Sequence, residues 1–290
     1  MKKAIGLFLI LSGQLFAGVE TKLEVLGNLS AGEKTTLKFT YLDQESQRPF
    51  SKFMTMHEKK MHLIVIHESF KYFAHIHPEL NNGEFTIDIN KYQNDDPDNG
   101  GTVNTLPVGG KYWLFSEAMP MKQGMVISKN EIQVTGKRSR ESRPVFTDGR
   151  RRIVRYVDKL GNLSSGPSHY KVTFNYEQFD FCDRWMPKFY FQWEELVDGK
   201  YVPVPQFARW LGMGGHAILI NAENQAFHHL HAFLPMATAG EFTFPYHDHE
   251  NPLQDGNYMI FGQFKIENQV FKVSFPFSYS NPSTLKCLLN

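Results

Sequence analysis

Residues 61–80 read MHLIVIHESFKYFAHIHPEL, and residues 215–234 read GHAILINAENQAFHHLHAFL. In the first stretch His62, His75 and His77 are separated by 13 and then 2 positions, and His216, His229 and His231 repeat that spacing in the second. Each copy places Phe two positions before the middle histidine, as Phe73 and Phe227. Each then continues to Gly-Glu-Phe (83–85 and 240–242) and to Gly-x-Tyr (110–112 and 256–258). Self-similarity at a fixed distance marks an internal duplication, so the fold has to build one unit twice.

The unit is made of strands. Segments such as KLEVLG, TTLKFTYLD, MHLIVIH, GEFTIDI and NEIQVTG are rich in Val, Ile, Phe and Tyr and are bounded by Gly, Asn, Pro and Asp. Beyond the first residues no long helical period occurs, so the chain is expected to be all-β, with two tandem antiparallel β-sandwich domains. Met1-Lys2-Lys3 followed by AIGLFLILSGQLFAG has the layout of a secretory signal peptide, expected to span residues 1–17. The N-terminal sandwich is then expected over residues 18–136 and the C-terminal one over 153–290. The basic, proline-broken stretch 137–152 is read as a solvated linker. The implied location is exported, periplasmic or secreted, with no membrane insertion, because the apolar run is too short to span comfortably.

Charge excludes one class of partner. With 31 basic and 30 acidic residues, the chain has no overall electrostatic reason to seek nucleic acid. Cys182 and Cys287 are too few for a disulfide scaffold, and whether they form a single bridge is left open by the sequence. The acidic stretch 92–110 reads as a long loop without the ligand spacing of an EF-hand.

Of the twelve histidines, only His169 lies outside the two repeat regions. Alternate residues of a strand share a face about 6.6–7 Å apart, so each His-x-His pair points one way. A hairpin register opposing 62 to 77 and 216 to 231 adds His62 and His216 to those faces, whereas a slip of one residue removes them. The slipped register would bring His67 to the pair in the first copy, but its counterpart is Asn221. Three imidazoles from two neighbouring strands suit copper or, as the alternative, zinc. Met54, Met56, Met61, Met119, Met121 and Met125 cluster in the first half, and soft thioethers favour copper. His57, Met56 and Met61 are therefore added as candidate ligands around His62, His75 and His77. The second copy has Leu211 and Gly215 where the first has His57 and Met61, and adds His247 and His249 in the sequence HDHE, so it is expected to bind differently.

HEKKMHLIVIHESFKYFAHIHPE (57–79), with LGMGGHAILI (211–220) and FHHLHAF (227–233), resembles a group of exported bacterial proteins. Their duplicated pattern runs His-Glu-x-x-Met-His, then Phe-x-His-x-His-Pro. The likeness covers most of residues 20–280. It implies β-sandwiches of immunoglobulin or cupredoxin-like type, similar in flavour to periplasmic copper- and heavy-metal-handling proteins. The matching positions are His57, Met61, His62, His75, His77 and Pro78, then His216, His229 and His231. Ala232 stands where the pattern places proline.

These readings favour a non-enzymatic protein that sequesters or carries a metal ion and exchanges it with another periplasmic metal-handling protein. Neither cysteine sits in the His-Cys-Met arrangement of a blue-copper site. A protein- or glycan-binding module with structural histidines is the rival, resting on the aromatic stretch YEQFDFCDRWMPKFYFQWEEL (176–196). A metal-dependent oxygenase or hydrolase using the same histidines is a further alternative.

Overall fold

The computed structural model describes residues 8–11, 18–89, 106–140, 142–181, 184–232, 240–246, 248 and 252–280, and among these there is no helix. Among the described residues no helix is therefore long and apolar enough to cross a membrane. The chain is all-β and divides into two compact units, residues 1–144 and 145–290.

The first unit comprises β1 (Phe8–Leu11), β2 (Val19–Leu26), β3 (Thr35–Asp43), β4 (Met61–His67), β5 (Phe73–Ile76), β6 (Glu79–Asn81), β7 (Glu84–Ile89), β8 (Gly110–Ala118) and β9 (Val126–Val134). One sheet has the order β1-β2-β3-β7-β6 and the other β5-β4-β8-β9. Alternating side chains of both, among them Leu23, Leu37, Phe39 and Phe85 from the first and Leu63, Val65, Leu114 and Ile132 from the second, form one buried cluster. The period-two apolar pattern thus closes a sandwich, each large core side chain contributing about 1.5–3 kcal/mol on burial.

The second unit comprises β10 (Thr147–Asp148), β11 (Ile153–Val157), β12 (Leu163–Ser164), β13 (Tyr170–Phe181), β14 (Arg184–Val197), β15 (Lys200–Pro203), β16 (Gly215–Asn221), β17 (Phe227–His231), β18 (Glu241–Pro245), β19 (Gly256–Ile266) and β20 (Gln269–Tyr279). Here β12-β11-β13-β14-β15, with β18 also on β14, forms one sheet, and β10-β20-β19-β16-β17 the other. Phe174, Phe189, Phe191 and Trp193 meet Leu219, Ile260, Phe275 and Phe277 between them. The duplication is legible strand by strand: β3–β7 matches β14–β18, and β5-β4-β8-β9 matches β17-β16-β19-β20.

The repeated Gly-x-Tyr has a backbone reason. Gly110 and Gly256 open β8 and β19 at φ of 144° and 155°, where a side chain is strained, and a Cβ at Gly110 would run into the His67 imidazole. The tyrosines then reach back four residues. Tyr112 donates its hydroxyl to the Val108 carbonyl at 2.9 Å, and Tyr258 donates to that of Gln254 at 2.8 Å. This is the tyrosine corner of Greek-key sandwiches, formed in both copies.

The basic stretch read as a solvated linker has backbone pairings near both ends. Gly109 donates to the Lys137 carbonyl, so its start belongs to the first unit, while β10 ladders in parallel onto β20 in the second. Arg150 bonds both carboxylate oxygens of Asp148, which occupies it in a surface turn. The expected leader (1–17) lies outside the described residues apart from β1, which pairs antiparallel with β2. Cys182, Cys287, His247, His249 and most of the 92–110 loop also lie outside them.

Replacing Tyr258 with Phe leaves the Gln254 carbonyl without that donor and should lower the stability of the second unit by about 1–2 kcal/mol. Urea unfolding followed by circular dichroism measures the loss.

Candidate metal centre

β4 and β16 are buried on both faces, because each is an inner strand of its sheet and the face turned away from the sandwich core is also covered. On that outer face the side chains fall into rows. In the first copy Ile64 lies between His75 on β5 and Phe115 on β8, and Ile66 between Phe73 and Trp113. In the second, Ile218 lies between His229 and Phe261, and Ile220 between Phe227 and Met259. The leading row is His62 opposite Glu117 in the first copy, with the His77 ring 5.0 Å from that of His62. Its equivalent is His231–His216–Gln263. This is the register that places all three histidines of each copy together.

The ligand-capable nitrogens of His62, His75 and His77 lie within 4.8 Å of one another, as do those of His216, His229 and His231. Both clusters could hold a metal ion. His62 Nδ1 is 2.9 Å from His75 Nε2, and His216 Nδ1 is 3.2 Å from His229 Nε2. A tetrahedral ion with N ligands at about 2.0–2.1 Å requires roughly 3.3 Å between nitrogens, which is close to the separation of this one pair in each copy. The first centre is the more enclosed: His62, His75 and His77 are 1%, 0% and 8% exposed. In the second His216 is fully buried, while His229 and His231 are half-buried.

The other nitrogen of each leading histidine is held from outside the cluster. His62 Nε2 lies 3.0 Å from the Met56 carbonyl and His216 Nε2 3.1 Å from that of Trp210, so in each neutral ring the Nε2–H donates and the Nδ1 lone pair points inward. This is how metal-ligating histidines are normally oriented, with a backbone acceptor fixing the tautomer. The acceptor is presented by the same tight turn in both copies. Met56 and Lys59 exchange backbone hydrogen bonds across His57 and Glu58 (φ 46° and 66°), and Trp210 and Met213 do so across Leu211 and Gly212 (φ 51° and 75°). Two successive positive φ angles define a type I′ turn.

The sequence matches the family described as a domain of unknown function, DUF8832, over residues 14–135 and 189–280. The chain belongs to this family. Both histidine clusters lie within the matched segments of this DUF8832 member. No curated protein matches it. Among solved structures, one titled "The Enterococcus faecalis MSCRAMM ACE binds its ligands by the collagen Hug Model" is similar at 10% identity, covering 91% of this chain and 95% of that chain. Its TM-score is 0.16, too low to support any argument.

The remaining candidate residues are placed differently. Met61 is fully buried in the sandwich core, on the face of β4 opposite to His62, because neighbouring strand residues point to opposite sides. It is therefore not part of the centre. Met56 contributes its carbonyl, and His57 sits half-buried in the turn, its ring 6.3 Å from that of His62. His67 and its counterpart Asn221 both close the hairpin turns. The Ser69 N–H and hydroxyl bond His67 Nδ1, and the N–H groups of Glu223 and Asn224 donate to Asn221 Oδ1. His228 turns the other way from His229 and packs on Tyr246, with ring centroids 4.9 Å apart. Within the aromatic stretch, Tyr176, Phe189, Phe191 and Trp193 are core and Tyr190 is half-buried, so these side chains offer little recognition surface. The side chain of Trp185 lies outside the described residues.

Two contributors went unrecognised in the sequence. The orienting carbonyl lies six residues before the leading histidine in both copies, a position with no side-chain signature. Glu117 and Gln263 each lie five residues after the tyrosine of Gly-x-Tyr, an offset that the repeat does make visible.

Burial lowers the pKa of His67 below its usual 6.5. The unfolded chain then takes up a proton first as pH falls through about 6.5, so this residue's contribution is full above that pH and is lost progressively below it. His67→Asn, the residue of the other copy, should reduce the loss of stability between pH 7 and 5, as read by denaturant midpoints. Glu58→Gly should relieve the left-handed turn and raise stability by up to about 1 kcal/mol, as read by the same denaturant midpoints.

Proposed function

We propose that this protein is an exported, non-enzymatic metal-binding protein that sequesters or carries copper, with zinc as the alternative ion. The observation that carries the reading is the recurrence, in both copies, of three converging imidazoles whose leading ring has its tautomer set by a backbone carbonyl. Hydrogen-bonded packing histidines would need no such shared arrangement. The ion would replace the N···N contact between His62 and His75, so loading requires neutral imidazoles and competes with protons.

Copper is favoured by the methionines. The Met54 N–H donates to the Met119 carbonyl across a short pairing that runs alongside Phe53 and Pro120, and this segment continues from Glu117, opposite His62. Met54, Met121 and Met125 are 47%, 47% and 39% exposed, so these soft side chains are not sealed in the core. Export is supported by the basic and apolar N-terminal pattern, and it makes another exported metal-handling protein the natural exchange partner. The enclosure of the first cluster suits retention of the ion.

Mass spectrometry of the mature protein after exposure to equal copper and zinc tests this. The parent should retain copper, and His75→Ala/His77→Ala should lose most of it, with circular dichroism confirming that both proteins are folded. His229→Ala/His231→Ala should lose only a smaller, weaker fraction. Retention of neither copper nor zinc by the folded parent at micromolar concentration would overturn the proposal.

A further inference from the structure

The two copies share their sheet face almost row for row, and they part at the residue beside the leading histidine. Glu117 faces His62 from β8 and is 4% exposed; Gln263 faces His216 from β19 and is fully buried. Glutamate and glutamine have nearly the same shape, so the exchange changes charge and little else. The next column adds to the contrast. Ile127 lies opposite Glu117, whereas Lys272 lies opposite Gln263. The first copy also has a lysine on this fourth strand, Lys129, but one row away, opposite Phe115, where the second copy has Ser274. These strand positions of the first copy therefore carry a glutamate and a lysine, and those of the second a glutamine and a lysine.

Charge at this position bears directly on what the cluster can hold. Three neutral imidazoles leave the full charge of a bound dication inside the protein, and burying charge without compensation is costly. A carboxylate opposite the leading ligand, at a cross-strand Cβ separation of about 4.5–5.5 Å, offsets part of that charge where screening by water is weak. Glu117 is not among the groups whose ligand atoms converge within 4.8 Å, so it lies beside the ligand set rather than in it. Gln263 can accept or donate a hydrogen bond but supplies no charge. Burial pushes the Lys272 ammonium down to about 8, which leaves it largely protonated at neutral pH.

We infer that Glu117 makes the first cluster the tight site for a divalent transition-metal ion, and that Gln263, with Lys272 on the same row, makes the second a weaker site for the same ion. The inference rests on the metal-binding reading of the two clusters.

The test uses the full mature chain and zinc alone, whose single oxidation state keeps the comparison one of charge. Affinities are read by competition with a chromophoric chelator. With the second cluster disabled by His229→Ala/His231→Ala, Glu117→Gln should weaken zinc binding about 10–100-fold, the range expected when a partner outside the ligand set is lost. With the first disabled by His75→Ala/His77→Ala, Gln263→Glu should tighten binding by at least tenfold. A merely structural role for Glu117 would not produce that gain. The second arm also stands if Glu117→Gln fails to fold. Equal affinities of the two clusters in the parent, or no change with Gln263→Glu, would overturn this inference while leaving metal binding intact. Failure of the parent to bind either zinc or copper would remove both.

Discussion

Ile64 faces His75 and Ile218 faces His229 across two short hairpins, and a slip of one residue in either pairing would turn that hairpin's histidines from one side of the sheet to the other. What holds the register is the opposite face of the same strands. Leu63 and Val65 pack into the sandwich core of the first unit, and Ala217 and Leu219 into that of the second. The apolar requirement of the core and the placement of the imidazoles are thus one constraint, expressed on alternate residues. The glycine and tyrosine at the start of β8 and β19 anchor the neighbouring strand that completes each row.

Burying three imidazoles is tolerable only when their polar atoms are engaged. The tight turns at 56–59 and 210–213 direct a carbonyl at the outer nitrogen of each leading ring, which leaves the inner nitrogens facing one another. The turns reach the same geometry with different residues. The second uses Gly212 at a positive φ where the first accepts Glu58, so the backbone shape has been kept while its chemistry has drifted. The surroundings have diverged in the same way. One cluster is closed and lies beside a buried carboxylate, and the other is partly open and lies beside an amide.

Much of this was legible in the residues. The 13-and-2 spacing, taken with strand periodicity, leads to the observed register, and the repeated landmarks lead to two sandwiches. Met61 shows where one inference outran its own premise: a residue next to His62 on a strand has to face away from it, and Met61 lies in the core. His67 required the fold, because nothing in its spacing separates a ligand from a turn cap until Ser69 is seen bonding its Nδ1. Within the stretch 137–152, Lys137 and Thr147 enter backbone pairings, which composition does not encode.

By itself, the sequence determined the all-β class, the duplication and which histidines can share a face, because these follow from periods of two and from recurring offsets along one chain. Tertiary structure alone decided which face is covered, which carbonyl orients each leading ring, and that Glu117 and Gln263 occupy the same place beside it. Those relations depend on strands brought together from distant parts of the chain, and a linear pattern carries no direct record of which backbone atom or side chain will be pressed against which.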